Sequence, residues 1–406
     1  MKLDREIIKG STVLLVGFGA YNLLHFLFQF FMARYLTVTQ YSVLASVFVM
    51  VYISSVFSES IQNFMVKYAS RESQPGKLKN LIKRISRKMV RVSFLLIVVY
   101  LVLILGLSRL LKIDYWLLSL GGIIMVFSLF IPITRGIMQG KKRFKSLSVN
   151  MMSEAGIKLF IGTGLVLLGA GVWGALIGVI SASIVSLIFS KIQLKEIYSA
   201  QEEKIETKES YSYIFPTFVL TAVVVIFYSL DVWIARIFFS SEVSGAYALA
   251  SLIGKIIFWG TIPISKAMMP ISSDPNKEKT KHAFPTAIGI ILLAISTILI
   301  FFWIFPEWII KIFSGKDVEV ASNILIYEGL SFGIISIANL ILIYNLAINK
   351  TRKYWIMTIP LILEITILSF FRQDILVFAK SFLLVSILFL VSALLFMFFN
   401  RSKEVE

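Results

Sequence analysis

Uncharged apolar stretches, each long enough to cross a lipid bilayer, recur along this chain at regular intervals. Between Gly10 and Ala33 there is no Lys, Arg, Asp or Glu, and a helix of that length spans a hydrocarbon core of about 30 Å. Hydrophobic residues make up 58% of the 406 positions and charged residues only 16%. A soluble fold of this size could not bury so much apolar surface. The chain is therefore predicted to be an all-α polytopic membrane protein.

Twelve transmembrane helices are predicted from the apolar pattern. They cover residues 11–33, 42–65, 92–111, 115–138, 148–170, 172–190, 211–235, 244–269, 283–304, 321–346, 354–371 and 375–399. The uncharged run over 159–190 counts as two spans, because the Gly169 to Gly174 segment supplies the break for a tight hairpin.

The longest charged stretch away from the chain ends divides these spans six and six. We therefore expect an N-terminal six-helix bundle over 1–190, a charged cytoplasmic linker over 191–210 and a C-terminal six-helix bundle over 211–406. An even number of spans in each half would give both halves the same orientation in the membrane.

Basic residues fall mainly on alternate connections. Of the 40 Lys and Arg, 28 lie in segments on the side of the N-terminus and 7 in loops on the other side. This bias predicts a multi-pass protein of the cell membrane with both termini cytoplasmic. The net charge of +17 then reflects topology and attraction to anionic membrane lipids rather than binding to nucleic acid. Residues 77–91, with apolar positions at helical spacing among Lys and Arg, are predicted to form an interfacial amphipathic helix.

The two halves resemble each other in sequence. Phe31-Met32-Ala33-Arg34-Tyr35-Leu36 aligns with Trp233-Ile234-Ala235-Arg236-Ile237-Phe238 at an offset of 202 residues. A second match, between the segments that begin at Gly140 and Asn349, places Glu154 on Glu364 when one inserted residue is allowed. These matches predict a duplicated six-helix unit, with a pseudo-two-fold axis along the membrane normal and a central cavity that suits alternating access.

Three motifs carry a resemblance to a known family. They are Ala33-Arg34-Tyr35-Leu36 followed by Gln40-Tyr41, the loop Ile137-Met138-Gln139-Gly140-Lys141-Lys142-Arg143-Phe144, and Leu346-Ala347-Ile348-Asn349-Lys350. With them the chain resembles the polysaccharide flippases of the multidrug/oligosaccharidyl-lipid/polysaccharide exporter superfamily. The resemblance implies a flippase that moves a polyprenyl-(pyro)phosphate-linked oligosaccharide from the cytoplasmic to the outer leaflet. It also implies candidate partners among polysaccharide-assembly proteins.

Charged residues inside the spans are candidate functional residues, because a charge in the membrane is costly unless it is paired or faces water. Glu154 and Lys158, four residues apart, are expected to pair with each other; a structural role and a cavity role both remain open. Lys255, near the middle of its span, should face an anionic substrate, water or a carboxylate from Asp231, Glu328 or Glu364.

Other polar side chains form a stripe on the first span, at Asn22, His25 and Gln29. The seventh span carries a second polar stripe, at Thr217, Thr221, Tyr228 and Asp231. Gln29 coincides with Asp231 at the offset of 202 residues, so the two stripes are expected to face one cavity. The alternative is hydrogen bonding between helices, worth roughly 0.6 kcal/mol for each contact. Arg135, near a span end, is expected to extend its side chain toward the interface.

The sequence gives no evidence for a cofactor or a metal site. There is no Cys, and His occurs only twice, at His25 and His282. No ATP-binding GxxxxGK[ST] motif is present, so energy is expected to come from a proton or sodium gradient or from consumption of the product.

The sequence is also compatible with two alternatives to a flippase. One is a cation-coupled multidrug exporter of the same superfamily, which would use carboxylates such as Asp231 and Glu364. The other is a membrane-embedded sugar polymerase or glycosyltransferase. Its need for a large outer loop is poorly met by the connection over 305–320.

Overall fold

Helices form almost all regular structure in the computed structural model, which describes residues 2–204, 214–272, 282–348 and 350–401. Within these ranges the helices are α1 (Lys2–Tyr35), α2 (Val38–Arg71), α3 (Pro75–Leu111), α4 (Tyr115–Gly140), α5 (Phe144–Leu165), α6 (Gly171–Gln193), α7 (Lys195–Ser199), α8 (Ile214–Phe238), α9 (Ser241–Ser272), α10 (Ala283–Ile304), α11 (Pro306–Ser314), α12 (Glu319–Ala347), α13 (Ile359–Phe370) and α14 (Ile375–Arg401). Asn349, most of the second half of the predicted linker and the start of the seventh predicted span lie outside the described residues.

Ten helical segments among the described residues are long and apolar enough to cross a membrane. One of them, Phe144–Gln193, contains both α5 and α6, and Tyr354–Phe370 is a shorter apolar segment. The prediction of an all-α polytopic membrane protein is confirmed.

The turn between α5 and α6 occurs where the glycines predicted a break. Gly169 and Gly171 have φ values of 90° and 52°, in the left-handed region that glycine enters without a side-chain clash. Beyond the turn, a Cβ on Gly178 would overlap the backbone of Gly162, so the two helices run back along each other in close contact. The predicted hairpin is confirmed.

The amphipathic segment before the third span continues into that span as the single helix α3. Pro75 occupies its first turn, where a missing N–H removes no intrahelical hydrogen bond. Leu78, Leu81 and Ile82 are buried in a hydrophobic cluster with residues of α2, α4 and α5, while Lys83 is exposed. The apolar residues that recur at helical spacing over 77–91 therefore include a buried face of α3, which packs against α2, α4 and α5.

The eleventh predicted span is shorter than expected. Residues Tyr354–Thr358 form a 3₁₀ turn, and the α-helix begins only at Ile359. Pro360 lies in the first turn of α13, where its fixed φ favours a helix start. The connection between α10 and α12 also contains the short helix α11, which the hydropathy pattern did not separate from a loop.

Contacts divide the chain into two compact units. Unit 1 comprises residues 1–36 and 50–210, and unit 2 comprises 37–49 and 211–406. The first turns of α2 therefore pack with unit 2: Trp233 Nε1 donates to the carbonyl oxygen of Ser46 (2.8 Å). The core of unit 2 is rich in phenylalanine, and the Phe227 ring stacks on those of Phe382 and Phe389.

Candidate functional site

A buried polar cluster in unit 1, here called the Arg135 network, joins α4, α5 and α6. Arg135 Nε donates to Asn150 Oδ1 (2.9 Å), and its Nη2 pairs with the Glu154 carboxylate. The same Nη2 lies 3.3 Å from Ser186 Oγ, while Asn150 Nδ2 donates to Ser190 Oγ (3.1 Å). Two of these contacts join α4 to α5, one joins α4 to α6 and one joins α5 to α6, so the network holds the three helices against each other.

The backbone around Arg135 is shaped by a proline one turn earlier. Pro132 has no N–H to donate to the carbonyl of Ser128, and that carbonyl instead accepts from Ser58 Oγ of α2. The freed acceptor is thus satisfied within unit 1. Arg135 itself is only 8% exposed. The expectation that it extends to the interface is therefore wrong, because a carboxylate and two neutral acceptors stabilise it inside the protein.

The Glu154 carboxylate makes an ion pair with Arg135 of α4, a partner that the sequence analysis did not predict. The pairing of Glu154 with Lys158 stays a prediction. Lys158 Nζ lies 3.0 Å from Nδ1 of His25 on α1, and 4.3 Å from the centroid of the Phe28 ring. Spacing along α5 puts Glu154 and Lys158 on one side of the helix, but it does not reveal which neighbouring helix supplies each partner.

His25 is held between a ring and an ammonium group. The Tyr21 ring meets its imidazole edge to face, with centroids 4.4 Å apart. Since the Lys158 ammonium can only donate, Nδ1 accepts and the ring proton is assigned to Nε2. Nε2 is buried and has no hydrogen-bond partner among the described residues. Unit 1 therefore has a buried N–H donor close to a cationic side chain.

The other members of the α1 stripe differ in burial. Asn22 is exposed, whereas Gln29 is buried and its Nε2 donates to the Tyr52 hydroxyl of α2 (3.2 Å). Gln29 Oε1 is buried without a hydrogen-bond partner within the described part of the chain. Gln29 thus links two helices of unit 1. That Gln29 and Asp231 face one cavity stays a prediction.

A second buried cluster, the Asp231 network, lies in unit 2 between α8 and α9. Asp231 is fully buried and accepts at Oδ2 from Ser251 Oγ (2.8 Å) and from the Tyr247 hydroxyl (3.3 Å). Lys255 Nζ lies 3.8 Å from Asp231 Oδ1 and 5.4 Å from the Phe332 ring centroid. Of the three carboxylates proposed for Lys255, Asp231 makes the ion pair.

Glu328 on α12 and Glu364 on α13 are both fully buried. Both oxygens of each carboxyl group lack a hydrogen-bond partner among the described residues. Helix α12 approaches α9 closely here, because a Cβ on Gly254 would lie 3.2 Å from Glu328 Cβ. Two buried carboxyl groups without donors are costly when charged, so both are placed to carry a proton or to meet a cation.

Several members of these clusters were missed at the sequence level, although their spacing holds a usable signal. Tyr247, Ser251 and Lys255 follow each other at intervals of four, so they share one side of α9. Asn150, Glu154 and Lys158 repeat the same interval on α5. Ser186 and Ser190 are also four residues apart, but serine is common in membrane helices. Their spacing is therefore a weak signal.

The described residues contain no group of three or more His, Cys, Asp or Glu arranged to hold a metal ion. The side chains of the two networks can pair charges, form hydrogen bonds and exchange protons.

The arrangement of helices is similar to the fold of solved MOP superfamily structures. The chain belongs to the polysaccharide biosynthesis protein family, whose profile matches residues 7–276. No curated protein sequence matches it.

Solved structures support the fold assignment at low sequence identity. The lipid II flippase MurJ in an inward closed conformation is similar, with 17% identity, a TM-score of 0.71, and coverage of 95% of this chain and 87% of that chain. An inward-facing multidrug resistance MATE family transporter gives 14% identity and a TM-score of 0.70, covering 95% of this chain and 94% of its own. A MOP superfamily transporter from Pyrococcus furiosus gives 12% identity and a TM-score of 0.63, covering 98% and 95%.

Proposed function

We propose that this protein flips a polyprenyl-(pyro)phosphate-linked oligosaccharide from the cytoplasmic to the outer leaflet, for assembly of a cell-surface polysaccharide. The observation that carries the proposal is the family match over residues 7–276. The similarity to a structure described as a lipid II flippase is consistent with it. Polysaccharide-assembly proteins are proposed partners.

We further propose the membrane arrangement that the sequence predicts. It has twelve spans in two six-helix bundles, a cytoplasmic linker over 191–210 and both termini in the cytoplasm. The basic residues of the inner loops support this orientation. Alternating access would then follow from movement of one bundle against the other about the pseudo-two-fold axis.

The phosphate of the carrier lipid is proposed to bind at Lys158 and His25. An ammonium and an imidazole N–H are both donors suited to phosphate oxygens. The unsatisfied Nε2 supports this assignment, because a buried donor gains most from an incoming acceptor. Arg135 is a weaker candidate, since Glu154 already balances its charge.

Lys255 was expected to face an anionic substrate, water or a carboxylate, and its ion pair with Asp231 favours the carboxylate. We propose that Asp231, Lys255, Glu328 and Glu364 form the coupling site, where a proton or a sodium ion would change the balance of charges. Asn22 and Gln29 are proposed to offer amide groups to sugar hydroxyls.

Binding measurements with purified protein test the proposal. A water-soluble, short-chain polyprenyl diphosphate sugar should raise the unfolding temperature of the wild type, and Lys158→Met should abolish that shift. The same lipid without its diphosphate should have little effect. An equal shift with and without the diphosphate would contradict phosphate recognition at Lys158.

A second candidate function is favoured by the two buried carboxyl groups without donors, Glu328 and Glu364. A cation-coupled multidrug exporter would use them for protons, sodium or a cationic drug. Organic cations, added in the same unfolding assay, distinguish the two. A shift produced by cations and lost in Glu364→Gln would favour the exporter.

A further inference from the structure

The cytoplasmic turns of α3 hold the first part of the charged linker, through contacts that lie wholly within unit 1. Lys79 Nζ donates to the carbonyl oxygen of Ala200 (2.8 Å). Asn80 Nδ2 and Lys83 Nζ each donate to one oxygen of the Glu202 carboxylate, both at 2.7 Å. We call the docked residues 200–204 the linker strap.

Backbone contacts place the strap closely on α3. The N–H of Glu203 donates to the carbonyl of Gly76 (3.2 Å). A side chain at Gly76 would overlap the carbonyl oxygen of Gln201, so the absence of a Cβ permits this approach. Just before the strap, Leu194 and Ile197 are buried in the cluster that also covers the apolar side of α3.

The donors that hold Glu202 would suit a phosphate equally well. An ammonium and an amide N–H on adjacent turns bind two oxygens of a carboxylate here, and phosphate presents oxygens of the same charge and similar spacing. More basic side chains follow them along α3 and are exposed, namely Arg84, Arg87, Lys88 and Arg91. Helix α3 contains no Asp or Glu over Pro75–Leu111.

The position of this basic surface identifies the source of the phosphate. Residues 92–111 continue the same helix as an apolar, uncharged segment apart from Arg109. When that segment crosses the bilayer, Lys88 and Arg91 lie at the level of the lipid headgroups. Anionic lipid phosphates are therefore at high local concentration beside Glu202, whereas a soluble anion has to compete from bulk solution.

We propose that the α3 basic surface (Lys79, Lys83, Arg84, Arg87, Lys88 and Arg91) binds anionic lipid headgroups, and that Glu202 competes with them for Asn80 and Lys83. Lipid composition then decides whether the strap is docked. Undocking would add residues 200–204 to the connection that leads to α8. The inference does not depend on what the protein transports.

Spin labels on the full chain in lipid nanodiscs test the proposal, since the chain has no Cys of its own. Labels at Ser73→Cys and Gln201→Cys, both exposed positions, report the separation of the strap from the start of α3. In phosphatidylcholine we expect one short distance. Phosphatidylglycerol at equal ionic strength should lower the docked fraction about twofold or more. Millimolar inorganic phosphate in phosphatidylcholine discs should not.

Two sets of variants distinguish docking of the strap through Glu202 from the response of the α3 basic surface to anionic lipid. Glu202→Gln should reduce the docked fraction in phosphatidylcholine. Glu203→Gln should not, because the hydrogen bond from Glu203 to α3 is made by its backbone N–H and a glutamine side chain of the same length can keep the place beside Gly76. A triple variant should keep the strap docked and lose most of the response to phosphatidylglycerol. It combines Arg84→Gln, Arg87→Gln and Lys88→Gln.

Three results would overturn the proposal. One is a wild-type docked fraction that is equal in both lipids. The second is a Glu202→Gln variant that docks as the wild type does. The third is a response to inorganic phosphate as large as the response to phosphatidylglycerol, which would remove the lipid as the source.

Discussion

Ser42 and Ser244 lie with their hydroxyl oxygens 3.0 Å apart, although 202 residues separate them in the chain. The same offset relates Arg34 to Arg236 in the sequence. Both serines lie in unit 2, so the contact joins the first turns of α2 to those of α9 within that unit. The duplication of a six-helix unit stays a prediction.

We predict that the double variant Ser42→Cys and Ser244→Cys forms a disulfide under mild oxidation. The hydroxyl oxygens are close enough that small rotamer changes would bring two sulfurs to a bond length of about 2.05 Å. The loop so closed should change migration on a denaturing gel, reversibly with reductant. Ser46→Cys with Ser244→Cys, one turn further along α2, is the control and should not cross-link. Absence of the first cross-link would contradict the contact.

Removing one charge of the Arg135–Glu154 pair should destabilise the protein more than removing both. Breaking a buried pair from one side costs about 3–5 kcal/mol, because the remaining charge stays buried. Arg135→Gln and Glu154→Gln should each lower the free energy of unfolding, while the double variant recovers part of it. Strictly additive effects would show that the two groups do not stabilise each other. Lys311→Gln with Asp317→Asn removes an exposed pair and serves as the control.

Lys255→Gln alone should reduce transport strongly, since it leaves Asp231 without its cation. If Lys255 only balances Asp231, then Asp231→Asn with Lys255→Gln should recover transport. If both belong to the coupling site, the double variant should fold well, bind substrate and no longer respond to an ion gradient. The proposal expects the second pattern, measured as leaflet exchange with and without proton and sodium gradients.

Docking of the linker strap should depend on pH through Glu202. Hydrogen bonds from Lys83 and Asn80 lower the pKa of the Glu202 carboxyl. Above the ordinary pKa of a glutamate, the carboxylate is charged and contributes fully to docking. That contribution is lost as the pH falls through the lowered pKa of docked Glu202. In phosphatidylcholine discs, the docked fraction should stay constant near neutral pH and fall in acid. Glu202→Gln should show no such acid transition; a transition at the same pH in this variant would assign it to another group.

The sequence predicted the features that depend on hydrophobicity and backbone freedom. Apolar runs located the spans, and Gly169 located the α5–α6 turn, because both signals are local. Partners across helices were harder to predict. Lys255 met one of its three proposed carboxylates, but Arg135 was assigned to the interface although it is the centre of a buried network. Nineteen residues separate Arg135 from Glu154, and the rotation of α4 that brings them together depends on packing with α2 and α6.

Leaflet exchange in liposomes measures directly whether this protein transports a phosphate-linked saccharide lipid. A fluorescent polyprenyl diphosphate oligosaccharide is placed in both leaflets, and the fraction accessible to an external enzyme that modifies the sugar is followed over time. Liposomes with wild-type protein should expose the full lipid pool, Lys158→Arg should expose it more slowly, and Lys158→Met should resemble protein-free liposomes. Equal accessibility of the lipid with and without wild-type protein would show that the protein does not flip it.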